Sequence, residues 1–139
     1  MMALQPFADT GHNDNHGLVV APYIQVILAA VPMGKILVVE HISGQLAAQD
    51  GATVNFIEAT VHGENSVVYL PVHFVSGVRQ FGPDQGLGRH HQFGSPVGLY
   101  VSGGNNIVVS GGATKAVTGS DPGAAISMFA SVVGHLVDA

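Results

Sequence analysis

The sequence predicts an all-β fold, an antiparallel β-sandwich of jelly-roll type with about eight strands. Three observations carry that expectation. Beyond residue 17 the chain runs in short apolar stretches punctuated by Gly, Pro, Asn and Asp, the pattern of a sandwich or barrel. No window of about twelve residues keeps an unbroken 3.6-residue apolar period, so helix is scarce. The chain is 47% hydrophobic and only 9% charged, where about 25% charge is usual, which excludes the composition of a disordered protein. Its 139 residues suit a single domain over 18–139, preceded by a polar N-terminal arm over 1–17.

Strands are expected at 18–30, 35–48, 52–62, 66–75, 88–93, 97–102, 106–110 and 124–137, a number that suits a jelly roll. In "SVVYLPVHFV", Val68, Leu70, Val72 and Phe74 form a core face while Tyr69, Pro71 and His73 point away. Pro71 cannot donate to a ladder, so this strand belongs at an edge or carries a bulge. Gly77 to Gly88 is the longest loop, the kind of segment where binding residues gather. "VSGGNNIVV" reads as a hairpin turning at Gly103 to Asn106, and "GSDPG" at 119–123 as a proline-fixed turn. The last segment alternates most clearly, with Ile126, Met128, Ala130, Val132 and Leu136 on one face, Ser127, Ser131 and His135 on the other, and Gly134 as a bulge candidate.

Composition also limits function. Four Lys plus Arg against nine Asp plus Glu give a net charge of -5, too few cations to neutralise a run of phosphates, so no nucleic-acid partner is expected. Eight histidines could carry the formal charge to +3 as pH falls through about 6.5. The absence of cysteine excludes disulfides, thiolate zinc sites and thiol nucleophiles. The apolar run Leu18 to Pro32 lacks a basic flank and contains Pro22 and Gln25. It is also shorter than a span of about 20 residues, so a soluble chain is expected.

Three stretches carry a resemblance: "VPMGKILVVEHIS" at 31–43, "PVGLYVSGGNNIVV" at 96–109 and "SVVGHLVD" at 131–138. They resemble a group of uncharacterised, often secreted bacterial proteins that pair a VPxGKxLVIEHVS-like segment with a closing GxLVD. The resemblance implies a β-sandwich and an exported origin, with the signal peptide absent from this chain. The group has no assigned activity, so the resemblance supplies no site residues. The histidine-rich start departs from the group's pattern.

Two stretches are candidate sites. "DTGHNDNHG" offers His12, His16, Asp9 and Asp14 as ligands suited to a transition metal. Its glycines and asparagines argue against the helix that would align the two imidazoles, and Gly11 breaks the calcium-loop pattern. An arm or cap at a subunit contact is the preferred reading of the stretch. "GRHHQFG" places His90 and His91 on opposite faces of a strand, with Arg89 beside them as a carboxylate or sugar partner. Tyr100, with Tyr23 and Tyr69, is a candidate for sugar stacking. His41, His62 and His73 could converge from the sandwich interior, as in cupin-like metal enzymes, although the cupin pattern is incomplete and Val101 stands where its histidine should be. Glu40 and His41, being adjacent, should point to opposite faces. Glu40, Glu58 and Glu64 could pair across strands. No G-x-S-x-G elbow occurs, and "SGGATK" at 110–115 lacks P-loop spacing and reads as a hairpin.

The expected function is therefore non-enzymatic: a self-assembling homo-oligomer with a structural or ligand-binding role. Its warrant is the near absence of lysine to protect sheet edges. A carbohydrate-binding module and a metal-dependent cupin-like enzyme are the alternatives. No cofactor is expected beyond a transition metal at the histidines.

Overall fold

A computed structural model describes residues 4–14, 23–62, 66–80, 87–115 and 125–139. Among them ten strands and no helix build two antiparallel sheets that bury a common core. The larger sheet runs β1 (Gln5–Asp14), β10 (Ile126–Asp138), β3 (Lys35–Gln49), β8 (Leu87–Ser102) and β6 (Val72–Val75), with β7 (Arg79–Gln80) also on β8. The smaller runs β2 (Tyr23–Leu28), β9 (Ile107–Lys115), β4 (Ala52–Val61) and β5 (Val67–Tyr69). The pairs β1–β10, β2–β9, β3–β8 and β4–β5 nest as in one long hairpin rolled onto itself, which is the jelly-roll path. No helix among the described residues is long and apolar enough to cross a membrane.

Alternation places the core. Ile126, Met128, Ala130, Val132 and Leu136 of β10 are buried, as are Leu37, Val39, Ile42 and Leu46 of β3. The register shift expected near Gly134 occurs between Val133 and Gly134, and the extra residue lies opposite, on β3, at Glu40. A side chain at Gly134 would run into the Val38 carbonyl, so the glycine permits the close approach there.

Several boundaries differ from the sequence expectation. The turn at Gly103–Asn106 does not close a hairpin, because β8 and β9 belong to different sheets. It is an arch between layers, with Gly104 at φ 86° and Asn105 N donating to the Ser102 carbonyl at 3.1 Å. The segment 66–75 is two strands, one in each sheet, and the chain crosses between layers at Leu70–Pro71. Leu70 is buried, but Phe74, expected in the core, is 57% exposed. The runs 88–93 and 97–102 are one continuous strand, and "SGGATK" continues β9 instead of turning. Part of the long loop pairs as β7 on β8. The expected strand at 18–30 is described only from residue 23, as β2, and its residues 18–22, the turn at 119–123 and Glu64 lie outside the described residues.

Residues 5–14 do not hang free as an arm. They form β1 and pair with β10 over ten positions, from Gln5 with Leu136 to Asp14 with Ser127. Apolar alternation misses this strand because only Phe7 among its inward positions is a large apolar residue, while Asp9, Gly11 and Asn13 are polar or small.

Candidate functional site

The stretch "DTGHN" resolves into a clasp between the two sheets. Asp9, Gly11 and Asn13 share the face of β1 that meets β2, as the two-residue period requires. Asp9 accepts from its neighbour Thr10 N through Oδ1 at 2.9 Å and from Ala29 N through Oδ2 at 2.8 Å. Asn13 repeats the device, accepting from Asp14 N through Oδ1 and donating from Nδ2 to the Gln25 carbonyl, both at 2.9 Å. Gly11 lies between them, where a Cβ would come within 2.9 Å of Leu28 Cδ2 and 3.0 Å of Val26 Cγ1. His12 and Asp14 project to the opposite face of β1 from Asp9, so the structure does not bring these metal-ligand candidates together. His16 lies outside the described residues. Among the described residues no three His, Cys, Asp or Glu side chains gather in a metal-binding group.

The second candidate stretch is divided, as expected, between two faces. His90 points outward from the larger sheet, where Gln45 Nε2 donates to its Nδ1, while its backbone N donates to Ser76 Oγ at 2.9 Å. His91 is on the inner side and its Nδ1 donates to the Leu46 carbonyl at 3.3 Å. Arg89 reaches the Ser76 carbonyl at 3.5 Å. Tyr100 is 66% exposed beside Val38, six residues along β8 from Gly94 and away from these groups. Tyr23 and Tyr69 are on the other sheet, on strands β2 and β5 at its opposite edges.

A cleft of about 430 Å³ opens on the outer face of the larger sheet. Two bulges build it. The extra residue at Glu40 sets both Glu40 and His41 outward, between buried Val39 and Ile42, which corrects the expectation that the two face opposite ways. Glu40 Oε1 then accepts from His135 Nδ1 at 2.7 Å, while His41 lines the cleft. The second bulge lies between Val72 and Phe74 on β6 and turns His73 into the same cleft, where its Nε2 donates to the Gly94 carbonyl at 2.5 Å. Bulges of this kind re-aim side chains at functional sites. Gly94 keeps the room open: a Cβ there would stand 3.3 Å from Ser43 Cβ and 3.4 Å from His41 Nε2. Gln45, Gln92 and Phe129 complete the walls.

The expected convergence of strand histidines thus occurs for His41 and His73, but outside the sandwich. His62 is exposed in the turn after β4, on the smaller sheet. A second hollow of about 210 Å³, lined by His90, Ala47 and Ser127, adjoins the cleft and shares Gln45 and Phe129 with it. These two side chains are cross-strand partners and form the ridge between the hollows. Sequence reasoning missed Gln45, Gln92 and Phe129, because only strand register shows that they meet the histidines.

The chain matches no protein-family model, and no curated protein is similar to it.

Proposed function

We propose that this protein is a binding module that holds a neutral, hydroxyl-rich ligand, a carbohydrate, on the outer face of the larger sheet. The observation that carries the reading is the pair of bulges that turn His41 and His73 into one cleft. The cleft offers amide, imidazole and hydroxyl groups that both donate and accept hydrogen bonds. It contains no carboxylate and no permanent cation, and the half-exposed ring of Phe129 (49%) is an apolar wall on which a sugar face can rest. Such a wall with a few convergent polar groups is the usual composition of a small-ligand site. Binding of immobilised neutral oligosaccharides, followed by amide chemical-shift mapping, tests the proposal. The shifts should centre on Ser43, Gln45, Gln92 and Gly94. Phe129→Ala should weaken binding by about tenfold, the equivalent of roughly 1.4 kcal/mol and near the top of the range for one aromatic contact. If no neutral sugar perturbs these amides, or if Phe129→Ala binds unchanged, the reading is wrong.

A second reading, self-association, is favoured by the outer face of the smaller sheet. There Ile27 (67% exposed) and Tyr69 (72% exposed) stand with Tyr23 and Val67 around a single carboxylate, Glu58. The described outward residues of that face include no lysine or arginine, so its best complement is another neutral, apolar surface, such as the same face of a second copy. The β1 clasp bridges β1 to the β2 side of the smaller sheet within one chain.

A further inference from the structure

Each of the five strands in the path of the larger sheet carries one histidine on the same outer face: His12 on β1, His135 on β10, His41 on β3, His90 on β8 and His73 on β6. The outward positions of these strands hold no lysine or arginine among the described residues. Their only carboxylates are Asp14 on β1 and Glu40, which is bonded to His135. The nearby fixed charges of the described residues lie at the rims: Arg79 on the short strand β7, Asp50 just past the end of β3 beside Leu87, and Lys35 paired with Asp138 at 2.5 Å where β3 and β10 meet. Arg89 lies on the other parity of β8, beside Ser76. Imidazole is the side chain that changes charge between about pH 5 and 8. The sign of this face therefore depends on its histidines: two carboxylates outweigh neutral imidazoles, and, with His90 set aside because its Nδ1 accepts from Gln45 and its Nε2 is buried, four imidazolium groups outweigh two carboxylates.

We infer that this face is a binding surface for an acidic polysaccharide that engages when the histidines are protonated. The class of partner rests on the carbohydrate reading of the cleft that lies on the same face, and the charge reversal adds attraction for carboxylated sugars. Imidazolium N–H groups at His41 and His73 would donate charge-assisted hydrogen bonds to sugar carboxylates, and His12 would extend the attraction across β1. The His135–Glu40 pair contributes least, because its cation and anion offset each other.

The test is retention of the full chain on immobilised polygalacturonate and on neutral dextran between about pH 7.5 and pH 5, a window in which polymer carboxylates remain ionised and imidazole titrates. Binding to polygalacturonate should strengthen by about tenfold or more toward pH 5 and weaken with added salt, as a charge-driven contact does. The variant His12→Gln/His41→Gln/His73→Gln should lose that gain, while His62→Gln/His91→Gln, which changes histidines off the face, should keep it. Thermal unfolding at about pH 7.5 verifies that both variants are folded, and the single variant His12→Gln, altered at an exposed position, should already reduce the gain. Equal gain in the two multiple variants, or no gain in the wild type at low salt, overturns the inference. Stronger uptake by anionic phospholipid vesicles than by polygalacturonate overturns the polysaccharide assignment. Failure of neutral sugars to bind the cleft, with the acid-dependent gain intact, would instead remove the carbohydrate reading and leave the charge reversal standing.

Discussion

Replacing Asp9 by alanine separates the clasp from the metal-site reading of the N-terminal stretch. The substitution deprives two backbone N–H groups of their acceptor, Thr10 N and Ala29 N. Thr10 is exposed and can turn to water, so its loss contributes little. Ala29 is completely buried and holds a left-handed backbone at φ 60°, and its N–H would be left without a partner. An unsatisfied buried donor costs about 1–3 kcal/mol, so a destabilisation of about 2 kcal/mol is expected. With unfolding entropy near 2.1 cal/mol/K per residue, a chain of this length loses about 0.3 kcal/mol per degree, and the midpoint should fall by roughly 7 °C. Urea unfolding and calorimetry, each with and without EDTA, measure it. His12→Ala, on the opposite face of β1 and exposed, should stay within about 0.5 kcal/mol of the wild type. A metal site would make both substitutions costly and would make the wild type sensitive to EDTA. An Asp9→Ala protein as stable as the wild type would refute the clasp.

Two further outcomes follow from packing. Gly44→Ala should prevent folding or cost more than about 3 kcal/mol, read from urea unfolding, because the new Cβ would lie 2.1 Å from the Phe129 carbonyl and 2.6 Å from Phe93 Cζ. If the smaller sheet's outer face joins copies, native mass spectrometry should show a closed oligomer that Ile27→Lys/Tyr69→Lys converts to monomer without loss of thermal stability. A wild-type monomer would end that reading.

Much of the fold was legible because burial in a strand has a strict period. The alternation of Ile126 to Leu136 assigned the faces of β10 without any tertiary information. What alternation cannot encode is which sheet a strand joins. Through Leu70 and Pro71 the pattern runs on without interruption while the chain passes from one layer to the other, so parity in the two halves refers to different cores. Gly103 and Gly104 code a local reversal, and the same glycines serve a hairpin or an arch. The facing of His41 was hidden for a related reason: the extra residue at Glu40 reverses parity within β3, and although Gly134 marks the bulge, it does not show that the added residue lies on the partner strand. β1 was missed because three of its inward positions, Asp9, Gly11 and Asn13, are polar or small: the two polar ones bond backbone atoms at Ala29 and Gln25, and Gly11 makes room for the Leu28 and Val26 side chains.

The same economy connects the clasp to the binding face. Sheet edges in many proteins are guarded by lysine; here the flank at β1 is held by two side chains that each bond their own neighbour and the facing strand. Among the described residues the five strands in the path of the larger sheet thus carry no lysine or arginine at their outward positions, and, with Arg79 of β7 at the rim, imidazoles and two carboxylates set the charge of the face. A lysine-guarded β1 would place a fixed positive charge beside His12 and offset part of the negative charge that the face carries at neutral pH. Substituting Thr10, an outward neighbour of His12 on β1, by lysine should therefore flatten the pH dependence of polygalacturonate retention by raising binding at about pH 7.5 while leaving binding at about pH 5 little changed.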